Sequence, residues 1–253
     1  MEGKFVGIGV GPGDPELITV KALKTLKTAD VISVPKATAG KPSLALSMVK
    51  PILAQREKPA EIVELVFPMK KNEVHVKKLW RLNATVVAEK ALKGKVVAFL
   101  TLGDPMFYST FVYLYRSLKE AYPSLKLEII PGVTSLTACA ASAKTPVAED
   151  DEVVAIVPSD LDFGLIEETA RHVDNLVFVK CAHRLKQLVP VLEYAGFAED
   201  ATVALVRRCG MPEEEVRVGS LGELENWVIP EDYFSMAIIK RTPFTLEKED
   251  GEA

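Results

Sequence analysis

Three glycine-containing segments hold the residues whose types and spacing could bind a ligand. Residues 7–15 have the sequence GIGVGPGDP, residues 100–109 are LTLGDPMFYS, and residues 129–135 are IIPGVTS. Glycine allows a tight turn and a close approach of the backbone to a ligand. Each segment includes or follows a short apolar run, so we expect a ligand that is held largely by backbone groups at the ends of strands.

The first segment matches a dinucleotide-binding turn only in part. Alternating glycines after a strand are typical of such turns, but Pro12 removes an N–H donor where a phosphate cradle needs one. The acidic residue expected at the end of the next strand is also missing, since Asp30 precedes its strand. A purely structural turn is an alternative here. A nucleotide-dependent oxidoreductase is the alternative from a different enzyme class.

The other two segments carry polar side chains that could have a binding or a structural role. The Asp104 carboxylate could accept hydrogen bonds from ribose hydroxyls or pair with an ammonium group. Alternatively, Asp104 is a helix N-cap with Pro105 at the first helical position. The hydroxyls of Thr134 and Ser135 could hold an adenosyl group or a carboxylate, or could cap a helix.

Alternating apolar runs and amphipathic stretches predict the elements that position these segments. In the N-terminal half, we expect strands over 4–10, 30–35, 62–67, 96–101 and 126–130, and helices over 17–29, 43–53, 80–92 and 107–118. In the C-terminal half, we expect strands over 153–157, 175–179, 202–206 and 235–240, and helices over 161–171 and 184–194. The predicted fold class is α/β, with two α/β domains and a cofactor cleft between them. A mainly parallel sheet is expected in residues 1–145, which carry the glycine-rich loops, and a mixed sheet in residues 146–253.

Composition and charge argue against several functional classes. The chain has 253 residues, 48% hydrophobic and 26% charged, which is enough apolar material for a packed core. The net charge is −4 and no basic face is evident, so we expect no nucleic-acid partner. Without a stretch of 18 apolar residues or a good signal peptide, we expect no membrane span and a cytoplasmic location.

Cysteine and histidine spacing gives no sign of a disulfide framework or a metal site. Cys139, Cys181 and Cys209 are odd in number and far apart. The three histidines add no ligand spacing. We therefore expect no metal bound by the protein's own side chains.

The three segments, in their order and spacing, resemble the signature segments of the class III tetrapyrrole methyltransferases. The likeness extends over nearly the whole chain. Residues 66–69 (VFPM), Trp80, residues 101–110 and residues 233–235 (YFS) are similar to the branch that methylates precorrin-2 or cobalt-factor II at C-20. Residues 70–72 (KKN) depart from the Thr-Lys-Asp that this branch would have there.

The resemblance implies an enzyme of cobalamin biosynthesis that uses S-adenosyl-L-methionine to methylate a reduced tetrapyrrole, and a homodimer. The cofactor contacts carried over are Val10, Pro12, Leu102, Gly103, Asp104, Phe107, Thr134, Ser135, Cys181 and Gly210. Lys180-Cys181 replaces a Met-Gly pair of the family, so either residue could make that contact. Methylation at another ring position, a diphthine-synthase-type reaction and a non-catalytic binding module are the alternatives.

The expected reaction needs alignment more than a strong base. Holding donor and acceptor in line can supply roughly 7–11 kcal/mol of the barrier. We therefore expect no indispensable catalytic residue, and Tyr108, His75 and Glu89 are candidates for a weak base by type alone. The basic residues Arg81, Arg184, Arg207 and Arg208 could bind the carboxylates of the substrate, or could be ordinary surface charges.

Overall fold

The protein is described here from a computed structural model, which covers residues 3–36, 42–67 and 73–244. Pro68-Met69 of the VFPM string and the KKN of residues 70–72 lie outside the described residues. The chain forms two compact units, Met1–Thr134 and Ser135–Ala253. The division after Thr134 places the helix that begins at Ser135 with the C-terminal unit.

The described part of the N-terminal unit alternates strands and helices. The strands are β1 (Lys4–Gly9), β2 (Val31–Lys36), β3 (Glu61–Val66), β4 (Val96–Thr101) and β5 (Leu127–Ile130). The helices are α1 (Val20–Thr28), α2 (Leu44–Ala54), α3 (Glu73–Leu92) and α4 (Phe111–Ala121). The strands pair in parallel in the order β3-β2-β4-β1-β5, which confirms the predicted parallel sheet.

Helices cover both faces of this sheet, as a fully buried parallel sheet requires. On one face, Val6 and Ile8 of β1 pack with α1 and α2. On the other face, Phe5 and Phe99 pack with α3 and α4, and the Phe5 ring stacks on Phe111 at 6.1 Å. The chain therefore leaves β1 toward one face and leaves the adjacent β4 toward the other. Ligands of open α/β sheets bind outside the carboxyl ends of strands at such a switch point.

The C-terminal unit has a mixed sheet. Its elements are α5 (Ser135–Ala143), β6 (Val154–Pro158), α6 (Phe163–Ala170), β7 (Asn175–Val179), α7 (Val189–Tyr194), β8 (Thr202–Arg207), β9 (Glu215–Ser220) and β10 (Ser235–Lys240). The strand order is β6-β7-β10-β8-β9, with β6 and β7 parallel and the other neighbours antiparallel. The predicted mixed sheet is thus confirmed, with β9 as a strand that the sequence did not predict.

Several helix bounds differ from the sequence prediction. The helix expected over 17–29 starts only at Val20, after a separate 3-10 turn at Pro15–Leu17. The helix expected from residue 107 starts at Phe111, because the preceding residues form turns in which Tyr108 has a positive φ of 48°. In the other direction, α3 begins at Glu73 rather than near Trp80. Among the helices of the described ranges, none is both long and apolar enough to cross a bilayer.

Candidate functional site

The three glycine-containing segments meet at one edge of the parallel sheet. They follow β1, β4 and β5, which are neighbours in the order β4-β1-β5. Gly103 N–H donates to the carbonyl oxygen of Gly11 at 2.7 Å, and Gly11 N–H donates to that of Gly103 at 3.4 Å. Gly9 lies against both other segments, since a Cβ on it would be 2.5 Å from Gly103 O and 2.7 Å from Gly132 N. The sequence-predicted segments are therefore brought together by direct backbone contact.

The glycines of this edge are required for two different reasons. At Gly9 and Gly132 a side chain would collide with backbone atoms of the neighbouring segments. At Gly103 the requirement is conformational, since φ is +61° and, among the described residues, a Cβ there would make only ordinary contacts with Thr134 and Val133, at 3.9 and 4.0 Å. The turn at Gly103 is therefore less crowded than the backbone at Gly9 and Gly132.

Asp104 ties the second segment to the third. Its Oδ1 accepts the N–H of Met106 at 2.8 Å, and its Oδ2 accepts the N–H of Gly132 at 2.9 Å. The N-cap role considered from the sequence does not occur, because no helix begins at Pro105 and α4 starts at Phe111. The carboxylate is half-buried and has further lone pairs, so it can still accept hydrogen bonds from a ligand.

The remaining predicted contacts of the N-terminal unit differ in their burial and in the groups they could present to a ligand. Val10 is fully buried and its N–H donates to Thr101 O at 2.9 Å, which leaves its carbonyl as the group that could meet a ligand. Pro12 is buried, whereas Leu102 and Phe107 are half-buried. Thr134 is half-buried at the end of this unit.

Tyr108 stands on the surface beside the second segment. Its side chain is 52% exposed, and its backbone is left-handed with φ of 48°. Its ring meets Phe107 edge to face at 4.9 Å. Left-handed non-glycine residues carry roughly 1–3 kcal/mol of strain and cluster at binding sites. The turn is held by a hydroxyl pair that sequence reasoning missed, Thr101 Oγ1 and Ser109 Oγ at 2.8 Å.

The C-terminal unit contains the last predicted contacts. Ser135 begins α5 and is half-buried. Cys181 is completely buried in the core, and this burial raises the pKa of its thiol to about 12. Its side chain is therefore a protonated core group, and a ligand contact would use its backbone. Gly210 has φ of +72°, and its N–H donates to the carboxylate of Glu214.

The arginines and weak bases considered from the sequence have different surroundings in the structure. Arg184 donates to Leu161 O at 3.2 Å, and its guanidinium lies over the Phe163 ring at 4.2 Å. Arg207 is buried against carboxylates, so both arginines have a structural role. Arg81 lies on α3 and pairs with Glu120 at 3.3 Å, while Arg208 is partly exposed beside Asp232. Glu89 is exposed on α3, and the side chain of His75 lies outside the described part of the chain.

Comparison with known proteins relates this arrangement to one family. The model of the family described as "Tetrapyrrole (Corrin/Porphyrin) Methylases" matches residues 4–225. A probable cobalt-precorrin-2 C(20)-methyltransferase of Methanocaldococcus jannaschii is 38% identical, over 94% of this chain and 96% of that protein. The cobalt-precorrin-2 C(20)-methyltransferase of Salmonella typhimurium is 34% identical, over 79% of this chain and 82% of that protein.

Solved structures share the same architecture. The uroporphyrin-III C-methyl transferase of Thermus thermophilus complexed with S-adenyl homocysteine superposes with a TM-score of 0.66 at 25% identity. That match covers 94% of this chain and 97% of the other. A cobalt precorrin-4 methyltransferase superposes with a TM-score of 0.69 at 24% identity, covering 95% of this chain and 96% of the other, and so supports the fold.

Proposed function

This chain belongs to the tetrapyrrole (corrin/porphyrin) methylase family, and from that membership we propose that it methylates C-20 of precorrin-2 or its cobalt form in cobalamin biosynthesis. The methyl donor is S-adenosyl-L-methionine. The observation that carries the proposal is the 38% identity, over nearly the full length of both chains, to a protein named for this reaction. The arrangement of the three turns supports the same reading.

The turns of the N-terminal unit support a cofactor site at the edge of the parallel sheet. The left-handed turn at Gly103 and the remaining lone pairs of Asp104 lie at the switch point between β1 and β4. We propose, on the strength of the family resemblance, that the cofactor contacts are Val10, Pro12, Leu102, Gly103, Asp104, Phe107, Thr134, Ser135, Cys181 and Gly210. Cys181 takes part through its backbone, because its side chain is buried.

The chemistry asks the protein mainly for positioning. When bound, S-adenosyl-L-methionine supplies a methyl group that its sulfonium charge already activates. We expect the turns to hold the cofactor in one orientation, which sets the direction from which the acceptor carbon approaches. Tyr108 is the one side chain of this edge that we consider for removal of the C-20 proton, as a weak and dispensable base.

The named relatives leave open which form of the substrate is used. The relatives at 38% and 34% identity are named for the cobalt-containing precorrin, and a relative from Sinorhizobium at 30% identity is named for precorrin-2. We further propose a cytoplasmic homodimer, on the strength of the family resemblance. Analytical ultracentrifugation at micromolar concentration tests the dimer.

Product analysis tests the proposed reaction. The purified protein is incubated without oxygen with methyl-labelled S-adenosyl-L-methionine and either precorrin-2 or its cobalt form, and NMR locates the label. We expect the label on C-20 with at least one of the two substrates. A label on another ring carbon would replace the C-20 assignment, and a lack of transfer to both would overturn the proposal.

A further inference from the structure

Two residues of the C-terminal unit have the same unusual backbone at the ends of two strands. Lys180 follows β7 and Arg208 follows β8, with φ of 59° and 51°. Both strands are antiparallel to β10, which lies between them, so their carboxyl ends flank the start of β10. Lys180 N–H donates to Ser235 O, and Arg208 N–H donates to Phe234 O, each at 2.7 Å. The segment that leads into β10 is therefore held from both sides.

This fixed segment displays two aromatic rings. Tyr233 and Phe234 are 50% and 38% exposed, and their rings meet edge to face at 5.3 Å. Asp232 Oδ1 accepts the N–H of Phe234 at 2.9 Å, and Ser235 Oγ donates to Asp232 O at 2.9 Å. Adjacent exposed aromatics on a rigid backbone are typical of binding surfaces rather than of solvated loops.

A lysine stands over one of these rings. The Nζ of Lys180 is 4.8 Å from the centroid of Tyr233. Within the described part of the chain, Lys180 has no carboxylate within ion-pair distance. The nearby acidic group, Asp232, is buried and already pairs with Arg208 at 2.6 Å and with Arg207 at 3.6 Å. Burial is the largest single influence on Asp232 and would raise its pKa, but the hydrogen bonds from Arg208 and the Phe234 N–H and the charges of both arginines together outweigh it, so the pKa lies below its ordinary value.

We propose that Lys180, Tyr233 and Phe234 form a contact site for the reduced tetrapyrrole, with one substrate carboxylate on Lys180 and the adjoining pyrrole ring on the aromatic pair. This inference rests on the proposed function and names the part of the protein that selects its substrate. The charges are complementary, because the acceptor carries many carboxylates and the half-buried ammonium group of Lys180 has no carboxylate partner among the described residues. The position is suitable for a substrate contact as well, because Lys180 is next in sequence to Cys181 and Arg208 lies two residues before Gly210. Cys181 and Gly210 are both among the proposed cofactor contacts.

The test compares Lys180→Gln with the same substitution at a matched lysine, Lys144. Lys144 is exposed, lies in the same unit and has the same left-handed backbone with φ of 51°, so Lys144→Gln repeats the chemical change at an equivalent conformation. We expect Lys180→Gln to raise KM for precorrin-2, or for its cobalt form, by about tenfold or more. Lys180→Arg should restore most of the loss, and Lys144→Gln should leave KM unchanged.

Three further measurements separate the possible outcomes. The dissociation constant for S-adenosyl-L-methionine should be the same in all variants, and an equal loss of cofactor affinity in Lys180→Gln would place Lys180 in the cofactor site and overturn the proposal. Tyr233→Leu should also raise KM, with circular dichroism showing that each variant is folded. Unchanged KM in both Lys180→Gln and Tyr233→Leu would likewise overturn it.

The proposed function can fail separately from this contact site. If the wild-type protein methylates neither substrate, the reaction assignment is wrong, and the contact is then measured directly by absorbance titration with precorrin-2. Equal affinity of wild type and Lys180→Gln in that titration would refute the contact site, while weaker binding by Lys180→Gln would support it.

Discussion

At the scale of single residues, Asp104 shows how a side chain can serve a ligand by ordering the backbone around it. Both of its oxygens already accept main-chain N–H groups, one within its own turn and one from Gly132. An additional bond to a ribose hydroxyl would be made by a carboxylate that is already fixed in place. Loss of Asp104 would therefore remove the proposed ligand contact and also loosen the turn that follows β5.

We expect Asp104→Ala to weaken S-adenosyl-L-methionine binding tenfold or more and to lower the free energy of unfolding by about 1–3 kcal/mol, because the N–H of Gly132 loses its acceptor. Titration calorimetry and urea denaturation measure the two effects. Asp162→Ala is the matched control, since Asp162 accepts the N–H groups of Gly164 and Leu165 at the start of α6. That variant should lose stability alone, and unchanged cofactor affinity in Asp104→Ala would contradict the role given to Asp104.

Tyr108 tests whether the reaction needs a protein base. Replacement by Phe keeps the ring and its edge-to-face contact with Phe107 but removes the hydroxyl. We expect kcat to fall less than 100-fold, because alignment rather than proton transfer limits the transfer of an activated methyl group. Steady-state kinetics over a range of pH measures this. A complete loss of turnover in a folded variant that still binds the cofactor would show that Tyr108 is an acid or base in the reaction.

At the scale of elements, the parallel strands matter because they deliver three loops to one edge. The loops are then locked by close backbone approach, which only glycine permits at Gly9 and Gly132. We therefore expect the proposed site to be sensitive to a single added methyl group at either glycine.

We expect Gly132→Ala to lower stability by about 1–3 kcal/mol and to weaken cofactor binding at least tenfold, because the added Cβ forces Gly9 and Gly103 away. Thermal unfolding and calorimetry provide the readouts. Gly222→Ala is the control, because a Cβ on Gly222 would make ordinary contacts of 3.4 Å or more with Glu199. Wild-type behaviour of Gly132→Ala would mean that the close approach is dispensable.

Sequence patterns located the buried elements well and the exposed ones poorly. The predicted ranges for β4, β7 and β10 coincide with the observed strands, because burial gives each of them a continuous apolar run in its centre. Strand β9 lies at the edge of its sheet, and its Val216 and Val218 are 41% and 48% exposed, so burial left no signal there.

The same limit applies to the candidate site. The glycine spacing identified the three segments, since each sits at the end of an apolar strand. It did not reveal that Asp104 bonds to a residue 28 positions later, because such a bond depends on strand order. Nor did it place Lys180 beside Tyr233, which requires the antiparallel pairing of β10 with β7.

At the scale of the whole molecule, ion pairs anchor the segment before β6 to the sheet of the C-terminal unit. Lys240 of β10 is buried, and its Nζ lies 2.7 Å from Glu152 and 3.4 Å from Glu149. Asn175 of β7 also donates to Glu152 at 2.8 Å. Burial is the largest single influence on Glu152 and would raise its pKa, but the hydrogen bonds from Lys240, Asn175 and the Glu149 N–H, together with the charge of Lys240, outweigh it, so the pKa lies below its ordinary value.

A depressed carboxyl pKa gives this anchor a definite dependence on pH. Because the folded state holds the Glu152 proton less tightly than the unfolded chain, the ion pair stabilises the fold at pH values above about 4.3, the ordinary pKa of a glutamate. This stabilisation is lost as the pH falls through the lower pKa of the folded state. Acid should therefore weaken the C-terminal unit through this cluster.

We expect Lys240→Met to lower the free energy of unfolding at pH 7 by about 3 kcal/mol. This value is near the lower limit of the cost of removing one partner of a buried ion pair, because the Glu152 side chain is still 22% exposed. The difference from wild type should shrink as the pH falls below about 4, and it should vanish only below the lowered folded-state pKa of wild-type Glu152, where the carboxyl is protonated in both proteins. Lys95→Met is the control, since Lys95 and its partner Glu61 are 44% and 42% exposed and water screens such a pair, so this change should have little effect on stability. Urea denaturation of the three proteins between pH 3 and 8 measures the effect. If the difference in stability between Lys240→Met and wild type stayed constant over that range, the lysine would stabilise the sheet by packing rather than by its charge.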